Sequence, residues 1–250
     1  MKKMIRAVIL MLLLVLLEHP VRCYAATETY AFIVDSKQQK LIDIPIKDIY
    51  NKATKTYTED YDWDIHKRLG TIKALFPVLV NQLGYTPEQA AGILGNICCE
   101  GRVGQYSGQT DYLKNTNEDI IKHLQQPEND AVGLCQWYSK SRRAELANLY
   151  IKWLNSDLAL VDEHYVAYMA EIEMLYRELE ERDLFIKDGS VNYTPEDACG
   201  IIAVKFESYD SSSSNWVLSG TKATLVGGGT SKARLRYAEG IYALYEAGGL

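Results

Sequence analysis

The sequence has no Cys-x-x-Cys motif and no closely spaced pair among its four histidines. A zinc site needs ligands at such spacings, so no metal and no other cofactor is expected. Basic charge is not in excess either: 27 Lys and Arg stand against 33 Asp and Glu, for a net charge of −6. An acidic chain has no long-range attraction to nucleic acid or to an anionic cell wall, so nucleic acid is excluded as the expected partner. Retention on a wall would require specific sugar contacts. The sequence also lacks internal repeats, and only residues 7–17 form a long apolar run.

That run follows Lys2, Lys3 and Arg6 and precedes Cys23, Tyr24 and Ala25, which offer a small-residue cleavage site. The layout is that of a signal peptide over residues 1–25, and the run is short for a membrane span. The expected location is secreted or in the cell envelope, with membrane contact only if the segment stays uncleaved. Cleavage leaves 23 basic against 32 acidic residues, a net charge of −9. It also leaves four cysteines: Cys98, Cys99, Cys135 and Cys199. An even count in an exported protein predicts disulfides. Cys98 and Cys99 are neighbours on a helix and point about 100° apart. At least one of them is therefore expected to join Cys135 or Cys199 rather than each other. The competing reading is a cysteine nucleophile paired with His66, His123 or His164.

Residues 26–62 read as an N-terminal extension and linker. Runs 30–34 and 41–46 are apolar and β-branched, as in a hairpin. Residues 63–250 form the main domain, and helical spacing dominates it. Helices are expected over 65–83, broken at Pro77, and over 86–101, 117–125, 140–154, 162–182, 194–207 and 232–247. Residues 101–117 read as a loop over a cleft. Residues 209–230 read as a mobile loop, from Ser211 to Ser214 and Gly227 to Gly229. The fold class is mainly α, with a small β contribution.

The stretch 86–101, TPEQAAGILGNICCEG, organises the rest. Thr86 can cap, Pro87 fits the first helical position, and Gln89 completes a capping box. Gly92 and Gly95 cost roughly 1 kcal/mol each against alanine, so their use is to admit another backbone. Glu100 places a carboxylate at the negative end of the helix dipole, where it is repelled by roughly 0.3–1 kcal/mol. A buried helix that ends in a misplaced acid is a candidate catalytic site.

A second stretch, GLCQW over 133–137, is followed by Ser141, Arg142, Arg143, Ala144, Glu145 and Leu146. In this order and near this spacing, the two stretches resemble the phage tail lysozyme family, of the lysozyme-like superfamily of peptidoglycan hydrolases. The resemblance covers about residues 65–245 and is strongest at 86–101 and 133–146. It implies a lysozyme-like α+β domain with peptidoglycan glycan strands as its partner. It also implies that Glu100 is the general acid, and that Gln136 and Trp137 line the substrate cleft. Arg142 or Arg143 would anchor the loop on a carboxylate. Glycosidic cleavage needs an acid that is still protonated near neutral pH. A second carboxylate, where one is used, stands about 5 to 9.5 Å away. The candidates are Asp111, in the cleft loop, and Glu207, which follows Phe206. Trp137 is open to two roles, a flat face for a sugar or a core packing residue.

The expected function is cleavage of the peptidoglycan glycan strand, as a muramidase or a lytic transglycosylase. The alternative from another class is a peptidoglycan-binding or assembly module that keeps the fold without turnover. A Cys/His peptidase is the third reading. On the glycosidase reading, Glu100→Gln removes the transferable proton, and the dipole argument predicts that stability holds or rises.

Overall fold

Helical periodicity becomes seven helices in the computed structural model, which describes residues 30–35, 40–45, 50–51, 56–57, 68–101, 115–126, 130–156, 165–207 and 215–250. In chain order these are strands β1 (Tyr30–Asp35), β2 (Lys40–Pro45), β3 (Tyr50–Asn51) and β4 (Thr56–Tyr57), then helices α1 (Leu69–Pro77), α2 (Pro87–Glu100), α3 (Asn117–Gln125), α4 (Lys140–Leu154), α5 (Tyr165–Arg182) and α6 (Pro195–Lys205). Strands β5 (Trp216–Ser219) and β6 (Lys222–Leu225) follow, and α7 (Thr230–Glu246) closes the chain. β1 pairs antiparallel with β2, and β3 with β4, within the N-terminal extension. The expected signal segment, 1–25, lies outside the described residues. No helix among the described residues is long and apolar enough to cross a membrane.

Pro77 ends α1 without ending the helical path. Proline has no N–H to donate and crowds the preceding turn, so the chain continues over Val78–Gln82 with the wider π pitch. Leu83 N donates to Val78 O at 3.0 Å to close it. α2 then starts as its local sequence dictates. Thr86 Oγ1 accepts from Gln89 N at 3.3 Å, and Thr86 N donates to Gln89 Oε1 at 2.9 Å. Both halves of the capping box are made, with Pro87 in the first turn. Thr194 and Asp197 repeat the device at the start of α6.

Every residue of α2 from Gln89 to Cys99 is buried. Burial of a side chain such as Ile93, Leu94 or Ile97 contributes about 1.5–3 kcal/mol. α2 is therefore the axis of the core rather than a surface helix. Its two glycines make this possible. A Cβ added at Gly92 would lie 2.4 Å from Ala198 Cβ of α6, and one at Gly95 would lie 2.8 Å from Ala238 Cβ of α7. The helices cross α2 where it has no side chain, and the lost helix propensity is offset by close packing on two sides.

The mobile loop expected over 209–230 is corrected in part. Residues 216–225 form the β5–β6 hairpin, with Ser219 opposite Lys222 and Trp216 opposite Leu225. Gly220 takes φ 62° at the first central position of a two-residue turn, as a type II′ hairpin requires. Trp216 and Ala223 are buried with Cys199, Ala203 and Ala238 in a small cluster beside the main core. Alternation of Trp216 and Leu218 against Lys222 and Thr224 outweighs the serines and glycines on either side.

Candidate functional site

Glu100 is the last residue of α2, and its side chain is 18% exposed. The acid that seemed misplaced has a counter-ion. Arg234 of α7, itself 2% exposed, donates from Nη2 to Glu100 Oε1. Its Nη1 donates to Asn96 Oδ1 at 3.0 Å, one turn back along α2. Asn96 in turn donates from Nδ2 to Gly92 O and to Cys199 O, both at 2.9 Å. The chain leaves the helix through Gly101, whose carbonyl accepts from Arg68 Nη2. Gly101 is extended, with φ −159°, so it ends the helix without the left-handed cap often made by glycine. The expectation that Glu100→Gln holds or raises stability is therefore corrected: the substitution would remove the anion that faces a buried guanidinium.

The second predicted stretch is a tight turn. Val132 and Trp137 bridge it, and Gln136 N donates to Gly133 O at 3.2 Å. Gln136 sits at φ 48°, a left-handed backbone uncommon for a residue with a Cβ. Its side-chain Nε2 folds back on Gly133 O at 3.0 Å. Trp137 is wholly buried, and its indole N–H donates to Glu178 Oε2 at 3.0 Å. Of the two roles open to it, the structure gives it packing and offers a sugar no indole face. Glu178 of α5 also takes Arg142 in a two-point pair, Nε to Oε1 at 2.5 Å and Nη2 to Oε2 at 2.6 Å. Arg142 is thus the arginine that anchors on a carboxylate. Arg143 holds the carbonyls of His123 and Asp130 instead. Farther along the turn, Leu134 N donates to Glu171 Oε2 at 2.8 Å. Two buried acids of α5, seven residues apart, therefore hold the turn on one helix face.

Glu207 follows α6 and lies near the same group. The residue is half-buried, but its Oε1 is enclosed and takes no hydrogen bond among the described residues. Burial pushes its carboxyl from an ordinary 4.5 up to about 8, with Arg142 and Arg182 opposing the rise and Glu178 adding to it. Burial thus favours the neutral form of the Glu207 carboxyl. Asp111, the other candidate second carboxylate, lies outside the described residues, as does most of the expected cleft loop.

The cysteine expectation is corrected. Cys98, Cys99, Cys135 and Cys199 are buried thiols, and none of them forms a disulfide. They pack as small apolar residues. α2 is tied to α6 by the Asn96 amide on Cys199 O, at the position where a disulfide was expected. Burial pushes the Cys99 thiol up to about 12, and those of Cys135 and Cys199 well above their ordinary value. A nucleophilic cysteine needs the opposite, a depressed pKa that exposes thiolate. His123 is buried, and His66 and His164 lie outside the described residues. No group of acids, histidines and cysteines suited to a metal ion occurs among the described residues.

A surface pocket of about 590 Å³ lies between the end of α5 and the hairpin turn, lined by Asp183, Phe185, Lys187, Tyr193, Lys205 and Thr221 among others. It contains none of the predicted site residues. Asn96, Glu178 and Arg234 were not singled out from the sequence. The spacing of Asn96 and Glu100, four apart on one helix, is a local signal for a shared partner. Nothing local points to Arg234, which is 134 residues away.

A helical domain built on one buried helix, with a half-open carboxylate at its end, defines a lysozyme-like architecture. The chain belongs to the phage tail lysozyme family, whose model matches residues 70–245. No curated protein and no solved structure matches it. Family membership implies a peptidoglycan hydrolase of the lysozyme type.

Proposed function

We propose that the protein is exported and cleaves the glycan strands of peptidoglycan between amino sugars, with Glu100 as the general acid. The observation that carries this reading is the position of Glu100. It is the acid at the C-terminal end of the central buried helix, where it is partly exposed and has one carboxyl oxygen held by Arg234. Gln136 on the 133–137 turn is half-buried, and its amide could exchange Gly133 O for an N-acetyl group. The test is release of muropeptides from purified walls, read by mass spectrometry. Glu100→Gln is expected to lose at least ~10²-fold in rate, the low end of what general acid catalysis contributes. Cleavage by that variant at a near wild-type rate would overturn the assignment.

A second assignment of the same chemistry has one observation in its favour. Burial favours the protonated form of Glu207, the form in which a general acid acts. On that reading Glu207→Gln is the inactive variant and Glu100→Gln retains turnover. A binding module without turnover would release no muropeptides from any version of the chain.

A further inference from the structure

We infer that Arg234 is the positioning residue of the glycosidic acid: it holds one oxygen of Glu100 and leaves the other to carry and deliver the proton. The inference rests on Glu100 as the general acid.

The geometry begins with Gly95. α7 approaches α2 so closely there that a Cβ would lie 2.8 Å from both Ala238 N and Arg234 O. This contact fixes the height at which Arg234 leaves α7. Its guanidinium then lies across two side chains of α2 that are one turn apart, Asn96 and Glu100. Asn96 cannot turn away, because its amide nitrogen already serves Gly92 O and Cys199 O. Its carbonyl oxygen is left facing Nη1. With Nη1 held on Asn96, Nη2 of the planar guanidinium reaches Glu100 Oε1. No hydrogen bond reaches Oε2 among the described residues.

The chemistry follows from this asymmetry. In the protonated form of Glu100, the form that acts, Oε2 carries the proton and gives it to the glycosidic oxygen as the bond from the sugar carbon to that oxygen breaks. The bonding pair stays with the leaving oxygen, and the sugar carbon is then taken by water, whose released proton returns to the Glu100 carboxylate. Glu100 becomes a carboxylate at the moment its neighbour is a fixed cation. The charge is met by a donor that is already in place, so no reorganisation is needed during the step. Among the described residues, the charged groups that act on the neighbouring Cys99 thiol are Arg234 and Arg236 on α7 and Arg68 ahead of α1, all cationic. Arg234 is the one of these that contacts the carboxyl.

The experiment measures muropeptide release against pH for wild type, Glu100→Gln, Arg234→Gln and Arg234→Lys. Arg234→Gln removes the cation that favours the anion. The high-pH limb of its rate profile should move to a proton concentration about tenfold lower or more. Its best rate should fall at least about tenfold. Arg234→Lys keeps the charge but cannot bridge two acceptors in a plane. Its limb should stay near that of wild type, while its rate falls at unchanged KM. If Arg234→Gln does not fold, Arg234→Lys decides alone: a wild-type rate would overturn the inference. A wild-type profile from folded Arg234→Gln, with Glu100→Gln inactive, would overturn it too and leave the arginine a structural ion pair. Activity in Glu100→Gln would instead remove the reading beneath it.

Discussion

Two acids of this domain sit at helix ends beside arginines and have opposite fates. At Glu100, Arg234 engages the carboxyl directly. Near Arg142 there are two carboxyls, with Arg182 also close to Glu207. Glu178 takes Arg142 Nε and Nη2 and the Trp137 indole as well, while Glu207 Oε1 accepts no hydrogen bond among the described residues. Burial raises the Glu207 carboxyl to about 8. Burial is the largest cause of the rise at Glu207, and no direct partner on Oε1 offsets it, whereas Glu100 is partly exposed and directly paired.

The largest expected effect breaks the crowded side of the comparison. Glu178→Ala strands the Arg142 guanidinium and the Trp137 N–H together. Losing one partner of a buried pair typically costs ~3–5 kcal/mol. Thermal or denaturant unfolding measures it, and a loss below ~1 kcal/mol would show that Glu207 moves in to replace Glu178. Glu100→Gln should cost less, ~1–3 kcal/mol, because the amide oxygen still accepts from Arg234 while the charge is lost. An unchanged unfolding midpoint would return Glu100 to the role of a solvated helix end.

The smallest effect sharpens the comparison through pH. Glu207 titrates at about 8 in the folded chain, against an ordinary 4.5. Between those values the folded state holds a proton that the unfolded chain has released. Stability on this account is fully present below about pH 4.5, falls as pH rises through the window and levels off above about 8. Glu207→Gln cannot titrate, so its stability profile should be flatter across the same range. Equal slopes for the two chains would mean that Glu207 is already ionised near neutrality.

The legibility of these features in the sequence follows the distance over which each is decided. The capping box at Thr86, the glycine approaches at 92 and 95 and the position of Glu100 are set within a few residues, and all were readable. The disulfide expectation rested on a parity of cysteines, which carries no geometry. Cys199 instead fills a helix crossing. Glu178 stands in the run Glu178-Leu179-Glu180-Glu181, where a sequence reader sees a solvated face. Only the turn brought in from residue 137 makes it a buried hub. The hairpin at 216–225 had a readable alternation and a Gly-Thr turn. Serines before it and glycines after it made the whole segment look structureless.

The crossing of α2 by α6 and α7 also dictates an order of assembly. Chains emerge N-terminus first, and domains fold as their partners become available. The helix bearing Glu100 exists long before either helix that encloses it: its contact with Cys199 spans 103 residues and that with Arg234 spans 134. Closing loops of that length has an entropic cost before any packing is gained, which slows folding. Until residue 234 arrives, the central helix is an apolar rod with two bare glycine notches and an unbalanced acid at its tip. The Glu100 end of α2 is completed by the last of the described helices to be made. On the proposed reading of Glu100, a chain that stops short of α7 would lack the partner that fixes its acid.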